Sequence, residues 1–83
     1  MDVTILTPEK ELFSEVASSI KLPGVVGGFE ILENHAPLIA ALQKGIIEIT
    51  QNGQKKTIAI EDGFVEVLNN KVSVLIAGGE VNG

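Results

Sequence analysis

Strict two-residue alternation around short Asn-led turns limits this chain more than any other feature. From Gly45 to Ile60 apolar and polar residues alternate on both sides of Asn52-Gly53, and from Asp62 to Ala77 they alternate around Asn69-Asn70. A period of two places successive side chains on opposite faces of an extended strand, so each stretch is a β-hairpin with one buried face. Asn-Gly is a strong two-residue type I′ signal because both residues tolerate positive φ. That turn sets Ile47 opposite Ile58 on one face, and Ile46 opposite Ala59 with Glu48 opposite Thr57 on the other. The second turn pairs Val67 with Val72 and Val65 with Val74, while Glu66 and Ser73 meet on the opposite face beside Phe64 and Leu75.

The remaining segments read as strands of the same kind. A first strand from Asp2 to Thr7 leads through a Thr7-Pro8-Glu9-Lys10 turn into a long extended segment. In that segment Leu12, Val16, Ile20 and Leu22 fall on one side, diluted by Ser14 and Ser18, with Glu15, Ser19 and Lys21 on the other. Pro23-Gly24 and Gly27-Gly28 mark bends on either side of Val25-Val26. The next strand carries Phe29 and Ile31 on one face and stops at Glu33-Asn34, where an asparagine side chain suits a turn. Ala36 to Leu42 is the one stretch readable as helix, and Pro37 opposes it by pushing Ala36 toward an extended conformation. Glu61-Asp62 is a turn. The expected fold is all-β: an antiparallel β-sandwich or flattened barrel of about eight to ten short strands, one domain over residues 1–83. Hydrophobic residues make up 45% of the chain, with three Phe and no Trp or Tyr, so the core is aliphatic and β-branched.

Charge and composition exclude several functions. The net charge of −5 repels phosphate backbones and leaves no basic patch for nucleic acid. It also gives no reason for adhesion to anionic lipid, and no apolar run approaches the ~18 residues that span a bilayer, so direct membrane insertion is not expected. No cysteine is present, which fits a reducing compartment. Met1 leads straight into Asp2-Val3-Thr4-Ile5 with no signal or transit pattern, and a cytoplasmic product is the simplest expectation.

Catalytic material is thin. His35 is the single histidine, and a metal site would have to combine it with carboxylates such as Glu30 and Glu33, without zinc-like spacing. A serine nucleophile at Ser14, Ser18, Ser19 or Ser73 lacks a Gly-x-Ser-x-Gly elbow. Gly24 and Gly27-Gly28 are not followed by Gly-Lys-Ser/Thr, so they form no phosphate loop. A sugar site would want aromatic platforms that are absent. No catalytic residue, metal or cofactor is therefore expected, and the protein works by contact. Ile46, Ala59, Phe64 and Leu75 lie on the faces opposite the main Val/Ile sets, which implies either a covered surface or a barrel corner buried on both sides.

Several motifs in order carry a family resemblance. The glycine-led strand from Gly27, the Asn34-His35-Ala36-Pro37-Leu38 corner and the Lys44-Gly45-Ile46-Ile47 strand start resemble the epsilon subunit of F-type ATP synthases. Asp62-Gly63-Phe64-Val65-Glu66-Val67 and Val72-Ser73-Val74-Leu75-Ile76-Ala77 are similar to that family's Gly-rich strand and its Val-Leu-Ala ending. The likeness runs from about residue 2 to residue 80. It implies a β-sandwich and a non-catalytic central-stalk (rotor) subunit that links gamma to the c ring, and through them to alpha and beta, and so couples proton flow to ATP synthesis. The implied location is peripheral, on the cytoplasmic face of a bacterial inner membrane. The implied c-ring contact is the loop between Pro23 and His35, with Gly27, Gly28, Glu30 and His35 as candidates and Ile46, Ala59, Phe64 and Leu75 as gamma-facing candidates. His35 matches the family histidine, and Gly27, Ile31, Ala36, Pro37, Leu38 and Gly45 match its pattern.

Two departures from that pattern stand out. Where family members often have Gly-Glu-x-Gly-Ile, this chain has Gly27-Gly28-Phe29-Glu30-Ile31, so the acidic group sits two residues on, on the same strand face. The sequence also stops at Gly79-Glu80-Val81-Asn82-Gly83 where the family continues into a two-helix arm, so neither nucleotide binding nor arm-based inhibition is expected of this polypeptide. The alternative readings are a stand-alone β-sandwich module for a protein or ligand, which ligand-dependent stabilisation would favour, and a small hydrolase dependent on His35.

Overall fold

The computed structural model describes residues 1–78 and 80–82, with side chains described through residue 78. Among the described residues there are ten strands and no helix. They are β1 (Asp2–Leu6), β2 (Glu11–Val16), β3 (Ser19–Gly24), β4 (Gly27–Leu32), β5 (Leu38–Leu42), β6 (Gly45–Gln51), β7 (Gln54–Ile60), β8 (Asp62–Leu68), β9 (Lys71–Ala77) and β10 (Glu80–Asn82). All belong to one sheet in the order β10-β7-β6-β3-β5-β8-β9-β1-β2, with β4 paired to β3. The final residues of the sequence, 79 and 83, lie outside the described residues.

The sheet curls until two halves face each other. One half is β4-β3-β6-β7 with β10, and the other is β5-β8-β9-β1-β2. Ile20, Ile47, Ile49, Ile58 and Ile60 from the first meet Val3, Ile5, Val65, Val67, Val72 and Val74 from the second in one core, each at most 2% exposed. Phe13 is the one aromatic ring among the buried residues described. Burial of a whole Ile or Val side chain stabilises by roughly 1.5–3 kcal/mol, so these β-branched positions carry the fold.

Both hairpin registers hold residue for residue. Ile47 pairs with Ile58, Ile46 with Ala59 and Glu48 with Thr57, while Val67 pairs with Val72, Val65 with Val74 and Glu66 with Ser73. Asn52, Asn69 and Asn70 adopt positive φ, as such turns demand. The Thr7–Lys10 turn is closed by the Thr7 amide donating to the Lys10 carbonyl at 2.8 Å.

Two sequence expectations change, and the objection of Pro37 to a helix over residues 36–42 holds. The segment from residue 11 to 22 is two strands rather than one face of a single strand: Phe13 and Ala17 are buried in its first part, Ile20 and Leu22 in its second, and Val16 is 65% exposed. The switch of parity falls at Ala17-Ser18, between β2 and β3, where the Ala17 amide bonds the Met1 carbonyl and the Ser18 amide bonds the Thr50 carbonyl. Ala36 to Leu42 is not helical, because β5 forms a full ladder with β8, Leu38 to Val67 through Leu42 to Gly63. The ladders are antiparallel except one: β1 runs parallel to β9.

Between β3 and β5 the halves join at the Gly24–Leu42 pair, with the Val25 amide donating to the Ala41 carbonyl at 3.0 Å. Gln43 reinforces it, its amide donating to the Pro23 carbonyl at 2.9 Å and its Nε2 to the Gly24 carbonyl at 3.1 Å. A Cβ at Gly24 would lie 2.6 Å from the Gly27 carbonyl oxygen and 2.9 Å from the Phe29 ring, so the close approach here requires glycine.

Candidate partner-binding surfaces

A molecule that works by contact should show apolar side chains where a folded monomer would normally place polar ones, on the outer faces of its strands. Ile46, Phe64 and Leu75 are 54%, 61% and 50% exposed, and Ala59 is exposed too. A barrel corner buried on both sides is therefore ruled out at these positions. The ladders divide the four into two pairs on separate outer faces, Ile46 with Ala59 on β6-β7 and Phe64 with Leu75 on β8-β9.

The β8-β9 face is the more apolar. Ala41 pairs with Phe64, Phe64 with Leu75, and Leu75 with Leu6, a continuous apolar row across β5, β8, β9 and β1. Ile39, 75% exposed, stands in the adjoining row, opposite Glu66, which in turn faces Ser73. Leu6, Ile39, Phe64, Glu66, Ser73 and Leu75 line an open groove. Alternation alone identified Phe64 and Leu75; Ile39, Ala41 and Leu6 were missed because their place in the row depends on strand order, which no local pattern encodes.

The β6-β7 face is largely charged. Lys21 is paired in register with both Glu30 and Glu48, and Lys55 Nζ lies 3.0 Å from Glu48 Oε1. The Lys55 ammonium, with a smaller contribution from Lys21, holds the Glu48 carboxyl below the ordinary carboxylate range. Glu48 on this side is thus paired within the chain.

The Pro23–His35 span is a hairpin rather than a loop. It comprises the end of β3, a Val25-Val26 turn, β4 and a second turn. Gly27 and Gly28 are exposed at the start of β4, and Glu30 follows on the same outer face as Gly28. Gly27 has φ 142°, which favours glycine. Val26 at the tip is fully exposed and Val25 56% exposed, an apolar tip that strand periodicity did not single out. His35 is half-buried beyond the other end of β4, its Nδ1 2.7 Å from the Ala36 carbonyl oxygen. The structure therefore brings Gly27, Gly28 and Glu30 together and sets His35 apart from them.

Near His35 a small polar latch ties three segments. Glu33 accepts from the Met1 ammonium and from Asn70 Nδ2 at 3.1 Å, and Asn70 Oδ1 accepts from the Asn34 amide at 2.8 Å. The Met1 ammonium and Asn70 together lower the Glu33 carboxyl below its ordinary value. Among the described residues no group of three or more His, Cys, Asp or Glu could hold a metal ion, and no helix is long and apolar enough to cross a membrane.

The chain matches a known family over nearly its whole length. A model of the family described as "ATP synthase, Delta/Epsilon chain, beta-sandwich domain" matches residues 1–80. The chain belongs to this family. The ATP synthase epsilon chain of Leptospira borgpetersenii serovar Hardjo-bovis is 43% identical over 79 residues, which cover 95% of this chain and 62% of that one. That of Thermosynechococcus vestitus is 39% identical over 80 residues, covering 96% and 58%. The chain thus spans about three-fifths of the length of the curated relatives it matches. A chain of the Euglena gracilis mitochondrial ATP synthase, solved as an OSCP/F1/c-ring assembly, has the same fold, with a TM-score of 0.90 at 21% identity over 95% of this chain and 51% of that one. A chain of the Tetrahymena thermophila mitochondrial ATP synthase central stalk and c ring gives a TM-score of 0.84 at 20% identity, covering 95% and 64%.

Proposed function

We propose that this chain is a non-catalytic rotor part of an F-type ATP synthase, standing between gamma and the c ring in the central stalk and helping to couple proton flow to ATP synthesis. The observation that carries the reading is the delta/epsilon β-sandwich match over residues 1–80, supported by the 43% identity to a bacterial ATP synthase epsilon chain. In this reading the complex lies on the cytoplasmic face of a bacterial plasma membrane, with this chain peripheral and reached only through its neighbours; the identity to bacterial epsilon chains supports it.

In this reading the exposed row Ala41-Phe64-Leu75-Leu6 meets gamma, because a contiguous apolar surface is what a stalk partner would cover. The start of β4, with Gly27, Gly28 and Glu30, turns toward the polar loops of the c ring. Glu30→Gln is expected to weaken assembly with the ring, and unchanged assembly would remove Glu30 from that contact. His35 acts as a turn residue beside the ring rather than as a catalyst.

Inverted membrane vesicles stripped of this chain test the coupling role. Proton pumping driven by ATP should fall while ATP hydrolysis persists, and both should be restored to a coupled ratio when the purified chain is added back. Full coupling in vesicles shown by immunoblot to lack the chain would overturn the proposal.

A further inference from the structure

The outer face of β8-β9 differs from the β6-β7 face in one electrostatic respect. On the β6-β7 side Glu48 is bonded to Lys55, and Lys21 stands in register with both Glu48 and Glu30. On β8-β9 Glu66 stands alone. Its cross-strand neighbours are Ile39 and Ser73, its same-face neighbours along β8 are Phe64 and Leu68, and among the described residues no Lys or N-terminal ammonium lies within salt-bridge distance of it. Lys71, on the diagonal of the β8-β9 ladder, pairs in register with Leu68 and does not bridge to it.

A carboxylate with no bonded cation beside exposed Ile39, Phe64 and Leu68 is an unusual use of a strand face. Were the surface left to solvent, Ile39 and Phe64 would serve it poorly; were it covered by an apolar partner alone, Glu66 would lose its hydration with no counter-charge in exchange. Coverage by apolar groups around one cation satisfies both. We infer that the β5-β8-β9-β1 face docks a protein segment that presents apolar side chains around a single lysine or arginine, and that Glu66 pairs with that cation at the centre of the contact.

This rests on the proposed stalk role and sharpens it: beside the apolar row, Glu66 offers a partner a charge that no described cation bonds. Glu66 is then a specificity residue. It rejects partner surfaces with an acid or no charge at that position, as an unpaired charge in an interface core does. The apolar row supplies area, and Glu66 fixes register.

The test is an equilibrium titration of the fluorescently labelled chain against the alpha-beta-gamma assembly of the same cells, stripped of this subunit, at about 50 and about 300 mM salt. Glu66→Gln keeps the side-chain shape and is solvent-exposed in the free chain, and its melting curve controls for folding. It is expected to weaken binding at least about tenfold at low salt and to flatten the salt dependence, as truncating one partner of a close interfacial ion pair does. Phe64→Ser should weaken binding further, whereas Glu48→Gln on the other face should leave it unchanged. Wild-type affinity and salt slope in Glu66→Gln, with binding intact, overturn the inference and leave the stalk reading standing. No binding by the wild-type chain overturns both. Dimerisation of the isolated chain that Phe64→Ser abolishes would assign the face to a second copy and overturn the inference too.

Discussion

Asn70 is the residue at which local and long-range structure meet. Its positive φ belongs to the β8-β9 turn, while its side chain bonds the Asn34 amide and the Glu33 carboxylate across the molecule. The turn was legible in the sequence because Asn-Asn tolerates positive φ; the latch was not, because its partners lie 36 and 37 residues away. Asn70→Gly keeps the turn and removes both side-chain bonds, which should cost about 1–2 kcal/mol and lower the melting temperature by several degrees. An unchanged melt would show that the latch contributes nothing. Glu33 adds a pH dependence. Its carboxyl is lowered from 4.5 by the Met1 ammonium and Asn70, so its stabilisation is fully present above the unfolded value and is lost as pH falls through the lower folded one. Glu33→Gln should therefore be less stable than wild type at pH 7, with the difference closing on the acid side in paired urea titrations. A difference that persists unchanged into acid would contradict the ion pair.

At the scale of elements, hairpins were legible and their assembly was not. The Asn52-Gly53 and Asn69-Asn70 turns pin two registers by themselves, so every pair from Gly45 to Ile60 and from Asp62 to Ala77 followed from counting. The parity switch at Ala17-Ser18 carries no turn residue that forces it, and the parallel β1-β9 ladder joins strands about 70 residues apart. The apolar row needed that strand order before it could be seen. The seam between β2 and the β6-β7 hairpin is likewise a side-chain affair: Lys56 lies 5.6 Å above the Phe13 ring, and Gln51 Nε2 donates to the Val16 carbonyl at 2.9 Å. The opposite seam depends on glycine. Gly24→Ala places a methyl group against the Gly27 carbonyl and the Phe29 ring, and overpacking of this kind costs about 1–3 kcal/mol. It should lower the urea midpoint and, because Gly24 pairs with Leu42, speed amide exchange first at the β3-β5 junction. Exchange that stays uniform across the sheet would place the strain elsewhere.

Across the whole molecule the two faces divide the work. An aliphatic core of Ile and Val closes a small sheet, one outer face pairs Glu48 with Lys55, and the other carries an apolar row beside Glu66, which no described cation bonds. A domain of this size buries only roughly 60% of its unfolded surface, so covering that row should also raise its stability. Binding to the stripped alpha-beta-gamma assembly is expected to slow amide exchange in β5 and β8 more than in β6 and β7, and equal protection of all four strands would contradict the division. The central claim is that this chain is a stalk subunit of an F-type ATP synthase. Its most direct test is to tag the chain in its native cells, solubilise the membranes mildly and quantify by mass spectrometry what co-purifies. The account predicts alpha, beta, gamma and c subunits in a fixed ratio to the chain; recovery of the chain alone, from cells whose ATP synthase is intact, would contradict it.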